Sequence, residues 1–112
     1  MIRSVVRVGP AIERPSVMPL AIRQTKTATG LTSLVIGPEC EAEEFAERAQ
    51  TVADHFGLVI DKRIAGLDEL IWIAHRGTDK FCISWDIWFR EVSIMAWEQT
   101  PDAAVQKLTT GA

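Results

Sequence analysis

Apolar and polar positions change period once along this chain. Between Pro38 and Phe56 the residues Phe45, Ala49, Val52, Ala53 and Phe56 recur as one stripe of a helix with about 3.6 residues per turn. Glu39, Glu41, Glu43 and Glu44 crowd its positive end and Gly57 supplies a left-handed stop, so a helix is predicted over 38–56. Ahead of it, Leu34-Val35-Ile36, closed by Gly37-Pro38, predicts a short strand. After it the period falls to two. Leu58 to Ile64, Leu70 to Arg76, Lys80 to Trp88 and Glu91 to Glu98 alternate, and the breaks at 65–69, 77–79 and 89–90 predict an antiparallel meander. Thr100-Pro101-Asp102 then reads as a helix start, with Ala104, Val105 and Leu108 as its apolar face. The expected fold is α+β in two layers: an antiparallel four- to five-stranded sheet with two helices packed on one face, in the order β-α-β-β-β-β-α.

Strand parity divides the meander into two faces, because a one-residue slip would exchange them. A three-residue loop at 77–79 sets Arg76 opposite Lys80 and Ile73 opposite Ile83, and a two-residue loop at 89–90 sets Trp85 opposite Ile94. Together they place Ile71, Ile73, Phe81, Ile83, Trp85, Ile87, Val92 and Ile94 under the helices. The reverse face then carries Trp72, Trp88, Met95 and Trp97 beside Ala74, Cys82, Ser84, Asp86, Glu91 and Ser93. Large apolar groups among a few polar ones are the composition of a contact surface. The expected partner-binding residues are therefore Trp72, Ser84, Asp86, Trp88, Met95 and Trp97, with Trp88 and Trp97 as hot spots and Ser84 and Asp86 fixing orientation. The competing reading is that this face is covered by the 1–36 segment, by the last helix or by a second copy of the chain.

Length and charge narrow the function classes. At 112 residues the chain has room for one core. Residues 1–30 hold Arg3, Arg7, Arg14, Arg23 and Lys26 against Glu13, net +4, which leaves −7 of the total −3 for residues 31–112. With Pro10, Pro15 and Pro19 as well, 1–30 is expected to be a basic, poorly ordered segment ahead of a single domain at 31–112; Met18 is an alternative start and Ile2 to Val8 a weak strand. An acidic domain is a poor match for a phosphate backbone, so a protein, basic or a second copy, is the expected partner, with no nucleic acid and no membrane. Two cysteines are too few for a disulfide framework, no apolar run is long enough to span a bilayer, and a cytoplasmic location follows as the expectation.

Candidate chemistry is sparse. Cys40, His55, His75 and Cys82 are of zinc-binding type but show no paired ligand spacing, and His75 and Cys82 are expected on opposite faces, so no metal is predicted. Cys82 lies mid-strand without a basic neighbour to make it a nucleophile. Asp61, Asp68, Glu69 and Asp79 fall on an outer strand or in turns, and Gly57, Gly66 and Gly77 are spent on a helix stop and turns rather than a phosphate cradle. No catalytic residue and no cofactor is expected. The order of elements resembles that of double-stranded RNA-binding domains, yet Thr100-Pro101-Asp102 stands where those carry lysines. In size, acidity and layout the chain is similar to small bacterial immunity, antitoxin and secretion-chaperone proteins, without a shared motif. The expected function is a non-catalytic protein-binding module. The alternatives are a small ligand-binding protein or enzyme with a pocket near Ser84 and Asp86, or a homodimeric structural subunit.

Overall fold

Helical stripe and alternating run both form where their periods require, in a computed structural model that describes residues 20–110. The elements are β1 (Ala21–Lys26), β2 (Thr32–Gly37), a 3-10 turn (Ala42–Glu44), α1 (Phe45–Phe56), β3 (Val59–Ala65), β4 (Glu69–Arg76), β5 (Asp79–Asp86), β6 (Val92–Ala96) and α2 (Ala103–Thr110). They build an α+β fold on one six-stranded antiparallel sheet in the order β1-β2-β6-β5-β4-β3. α1 carries the chain from β2 to the far edge, and the meander β3 to β6 returns until β6 pairs with β2.

β1 is the additional strand. Residues 21–26, expected within an irregular segment, pair with β2 from Ala21 opposite Gly37 to Lys26 opposite Thr32. Thr27 closes the hairpin: its carbonyl accepts the Gly30 N–H at 2.9 Å and its hydroxyl accepts the Leu31 N–H at 3.1 Å. The expected strand at Ile2 to Val8 and the alternative start at Met18 lie outside the described residues.

α1 starts later than Pro38 because the intervening backbone is engaged elsewhere. The Pro38 carbonyl accepts from the Arg48 guanidinium at 2.6 Å, and the Cys40 N–H donates to the Arg90 carbonyl at 2.9 Å. The helix ends as expected, on Gly57 at φ 70°. Phe45, Ala49, Val52, Ala53 and Phe56 are all buried. They meet Leu34, Ile36, Phe81, Ile83, Val92 and Ile94 from the sheet and Ala104, Val105 and Leu108 from α2 in one core. Burial of each large side chain there stabilises by about 1.5 to 3 kcal/mol before ordering entropy is subtracted. α2 is fastened by Asp102, whose carboxylate accepts from the Thr32 N–H at 2.8 Å and the Thr32 hydroxyl at 2.7 Å; these two donations hold its pKa below the ordinary range.

Register corrects the expected faces. The β4–β5 loop has two residues rather than three, so Arg76 opposes Asp79, Ile73 opposes Cys82 and Trp72 opposes Ile83. Gly77, at φ 65°, stands first in the loop, whereas three-residue hairpins place their left-handed residue last. The slip turns Trp72 and Ala74 into the core and puts Ile71, Ile73 and His75 on the open face. Trp72 packs edge-on against Phe45 at 5.6 Å, with the Arg63 guanidinium 4.4 Å from its ring centre on the outer side. β6 is also displaced, with Trp85 opposite Val92, but by two residues, which preserves parity. Ile87, expected in the core, leaves the sheet and is 51% exposed.

Candidate functional site

Six residues expected on one surface fall in three places. Trp72 is in the core; Asp86, the last residue of β5, turns its carboxylate into the β5–β6 turn that carries Trp88; Ser84, Met95 and Trp97 lie on the sheet face that no helix covers among the described residues.

The turn is held from within and from outside. Asp86 closes it: one carboxylate oxygen accepts the N–H groups of Trp88 at 2.9 Å and Phe89 at 2.7 Å, and its carbonyl accepts the Arg90 N–H at 2.8 Å. Arg90 takes a left-handed conformation at φ 54° and its guanidinium spans Glu41 at 3.0 Å and Glu39 at 3.2 Å. The Ile87 N–H donates to the Asp68 carbonyl at 2.9 Å, so the β3–β4 turn abuts it. From this frame Trp88 is 79% exposed and Phe89 69%, with Leu67 of the neighbouring turn fully exposed. Such outward apolar groups on a fixed backbone are the arrangement of an interaction surface. Asp68, Glu69, Glu39 and Glu41 give its surroundings an acidic excess over Arg90. Asp86 and Trp88 are among the expected contact residues but Ile87 and Phe89 are not, and the signal for these two is an Asp followed by three apolar residues where hairpin turns normally carry Gly or Asn.

The sheet face opposite the helices is ordered in rows across the strands. Trp97, Lys80 and His75 form one row; Met95, Cys82, Ile73 and Lys62 the next; Ser93, Ser84, Ile71 and Ile64 the third; Asp86 and Glu69 the last. A shallow groove of about 450 Å³ lies along Ile64, Ile73 and Trp97, with Asp61, Lys62, Lys80 and Glu98 at its rim. Asp61 sits where β3 gains an unpaired residue between Ile60 and Lys62, and its carboxylate meets His75 Nδ1 at 2.7 Å. Lys80 reaches Glu98 at 3.2 Å.

Ser84 and Asp86 are occupied locally. The hydroxyls of Ser84 and Ser93 share a hydrogen bond at 3.2 Å, and Asp86 is engaged by the turn. His75 lies on the same face as Cys82, not the opposite one as expected, because of the β4 slip. Among the described residues no group of three or more His, Cys, Asp or Glu side chains is placed to hold a metal ion, and no helix is long and apolar enough to cross a membrane. Burial, and after it the charge of Glu69, pushes the Cys82 thiol up from 9.0 to about 11. In a Cys40→Ala background, Cys82 should therefore react with a disulfide reagent at neutral pH about 100-fold more slowly than in the unfolded chain, accelerating as pH approaches 11. Equal rates in the folded and unfolded chains would contradict this environment.

No family model, curated protein or solved structure matches this chain.

Proposed function

We propose that this chain is a small, non-catalytic protein-binding module of the cytoplasm, an accessory protein of the immunity, antitoxin or chaperone type, that engages its partner through the turn at 87–90. What supports this reading is the exposure of Trp88 and Phe89 on a backbone fixed by Asp86. A turn already held in one shape loses little freedom on binding, and an indole offers a large contact area for two rotatable bonds. Asp86 is the positioning residue and Trp88 the anchor. The acidic surroundings favour a partner whose apolar pocket is rimmed by Lys or Arg. Cys40 and Cys82 are both free thiols, in keeping with a reducing compartment.

Phe89 replaced by a photoreactive benzoyl-phenylalanine, in the intact protein irradiated in cytosol of its own cell, tests the reading. A predominant protein adduct is expected, lost when Trp88→Ser is added. Lipid adducts alone, or a yield no greater than from a probe at the exposed helix position Thr51, defeat the proposal. Against the partner so identified, Trp88→Ala should weaken binding by about 2 kcal/mol or more while changing folding stability by about 0.5 kcal/mol or less. Isothermal titration and urea unfolding measure the two quantities.

A further inference from the structure

The three most exposed large apolar side chains among the described residues, Leu67, Trp88 and Phe89, stand on two adjacent turns. Single exposed apolar groups are ordinary on a surface, but a cluster of the most exposed ones is not. Leu67 sits in the β3–β4 turn, at a position where turns normally carry polar residues or Gly. Being fully exposed, it adds nothing to the core. Its backbone is nevertheless held on both sides. The Gly66 N–H donates to the Glu69 carbonyl at 2.8 Å, and the Ile87 N–H donates to the Asp68 carbonyl at 2.9 Å. The second bond carries the β4–β5 ladder one step beyond Glu69 opposite Asp86, and Leu67 and Trp88 are each one residue further along their turns. Charge at this end of the sheet survives its ion pairs. Arg23 and Glu91 cancel. Glu39, Glu41, Asp68, Glu69 and Asp86 stand against Arg90, which binds the first two, and Arg48, which is buried against the Pro38 carbonyl, for a formal net charge of −3.

We propose that Leu67 is the second anchor of the partner-binding surface, and that the partner is a different, basic protein whose apolar cleft takes both turns at once. This inference rests on the reading of the turn at 87–90 as the binding site. One anchoring ring leaves a partner free to rotate about it; a second anchor on a neighbouring turn fixes the orientation. The backbone bond between the turns sets the two anchors before the partner arrives, so little freedom is lost on binding. Carboxylates around the anchors draw in a cleft edged by Lys or Arg and repel an acidic one. A second copy of this chain is excluded as the occupant on the same ground, because it would bring one negatively charged end against another.

The photoreactive probe at Phe89, in the intact protein irradiated in cytosol of its own cell, reports on Leu67 without replacing it. Leu67→Ser should lower the adduct yield about tenfold, the effect of losing an anchor. Leu31→Ser, the same change at an exposed leucine at the opposite end of the sheet, should leave the yield unchanged. With the captured protein purified, Leu67→Ala should raise Kd about tenfold without altering urea unfolding, and Leu67→Met should recover most of the affinity. Asp68→Asn together with Glu69→Gln should slow association about threefold or more at low salt and have little effect at about 0.5 M salt, where charges are screened within a few ångströms. An adduct whose yield and affinity are indifferent to Leu67 overturns this inference and leaves the turn at 87–90 as the site. Capture of a second copy of this chain, or an association rate that ignores both salt and the two substitutions, overturns the basic partner. Absence of any protein adduct defeats the underlying reading and this inference with it.

Discussion

Trp72→Ala should destabilise the protein by about 3 to 5 kcal/mol, while Trp97→Ala, measured on monomer, should cost about 1 kcal/mol or less. Both are tryptophans of the same meander, and alternation with a three-residue loop would have put both on the outside. The one-residue slip at Gly77 separates them. Trp72 is 7% exposed, edge-on to Phe45 and capped by Arg63, so truncation empties a large volume between α1 and the sheet. Trp97 is 37% exposed and leaves behind a backbone N–H that still donates to the Lys80 carbonyl at 2.9 Å. Domains of this size have a net stability of about 5 to 15 kcal/mol, so the first loss threatens folding itself and the second does not. Urea titration of the two variants decides the register. Equal losses, or a larger one at Trp97, would show that β4 pairs as the simple loop count suggests.

Trp85→Phe should cost about 1 to 3 kcal/mol, although the new side chain is also a large apolar ring. The loss comes from one polar atom. Trp85 Nε1–H donates to the Cys40 carbonyl at 2.9 Å in the buried interior, and phenylalanine leaves that carbonyl without its donor. The bond also belongs to a chain of contacts: the Cys40 N–H donates to the Arg90 carbonyl, and Arg90 in turn grips Glu39 and Glu41. Amide hydrogen exchange at Cys40 should therefore quicken in the variant by more than its global loss of stability explains. A variant as stable as the parent, with Cys40 equally protected, would mean that the indole is held by packing alone.

Elements governed by period were legible in the sequence, and those governed by loops were not. Phe45 to Phe56 announce a helix because five apolar positions share one side, and the structure buries each of them. Phe81, Ile83, Trp85, Val92 and Ile94 likewise face the core as alternation requires. Alternation within a strand says nothing of its phase against the next strand, which rests on the length of the connection. At 77–79 a single residue of loop exchanged Trp72 for Ile73, both of them apolar, so composition gave no warning. β1 was obscured for another reason: Arg23, Gln24, Thr25 and Lys26 are polar because an edge strand is mostly solvated, and the hydrogen bonds that hold it come from backbone that every sequence has. Of the expected contact residues, Trp88 was recognised for its size, but its setting depends on Asp86 acting on backbone two and three residues ahead and on Arg90 reaching a segment some fifty positions earlier in the chain.

The extra residue at Asp61 has a consequence for assembly in bulk. β3 is an outer strand of the sheet, and such a margin offers unsatisfied backbone groups to any neighbouring molecule. The irregularity between Ile60 and Lys62 breaks that margin into two short runs, and Lys62 and Arg63 set positive charges beside the break. A second molecule could not continue the ladder along its whole length without leaving donors and acceptors unmatched. Growth of one molecule after another into a fibril is thereby resisted on that side, and concentrated solutions gain protection from a feature that contributes nothing to the interior.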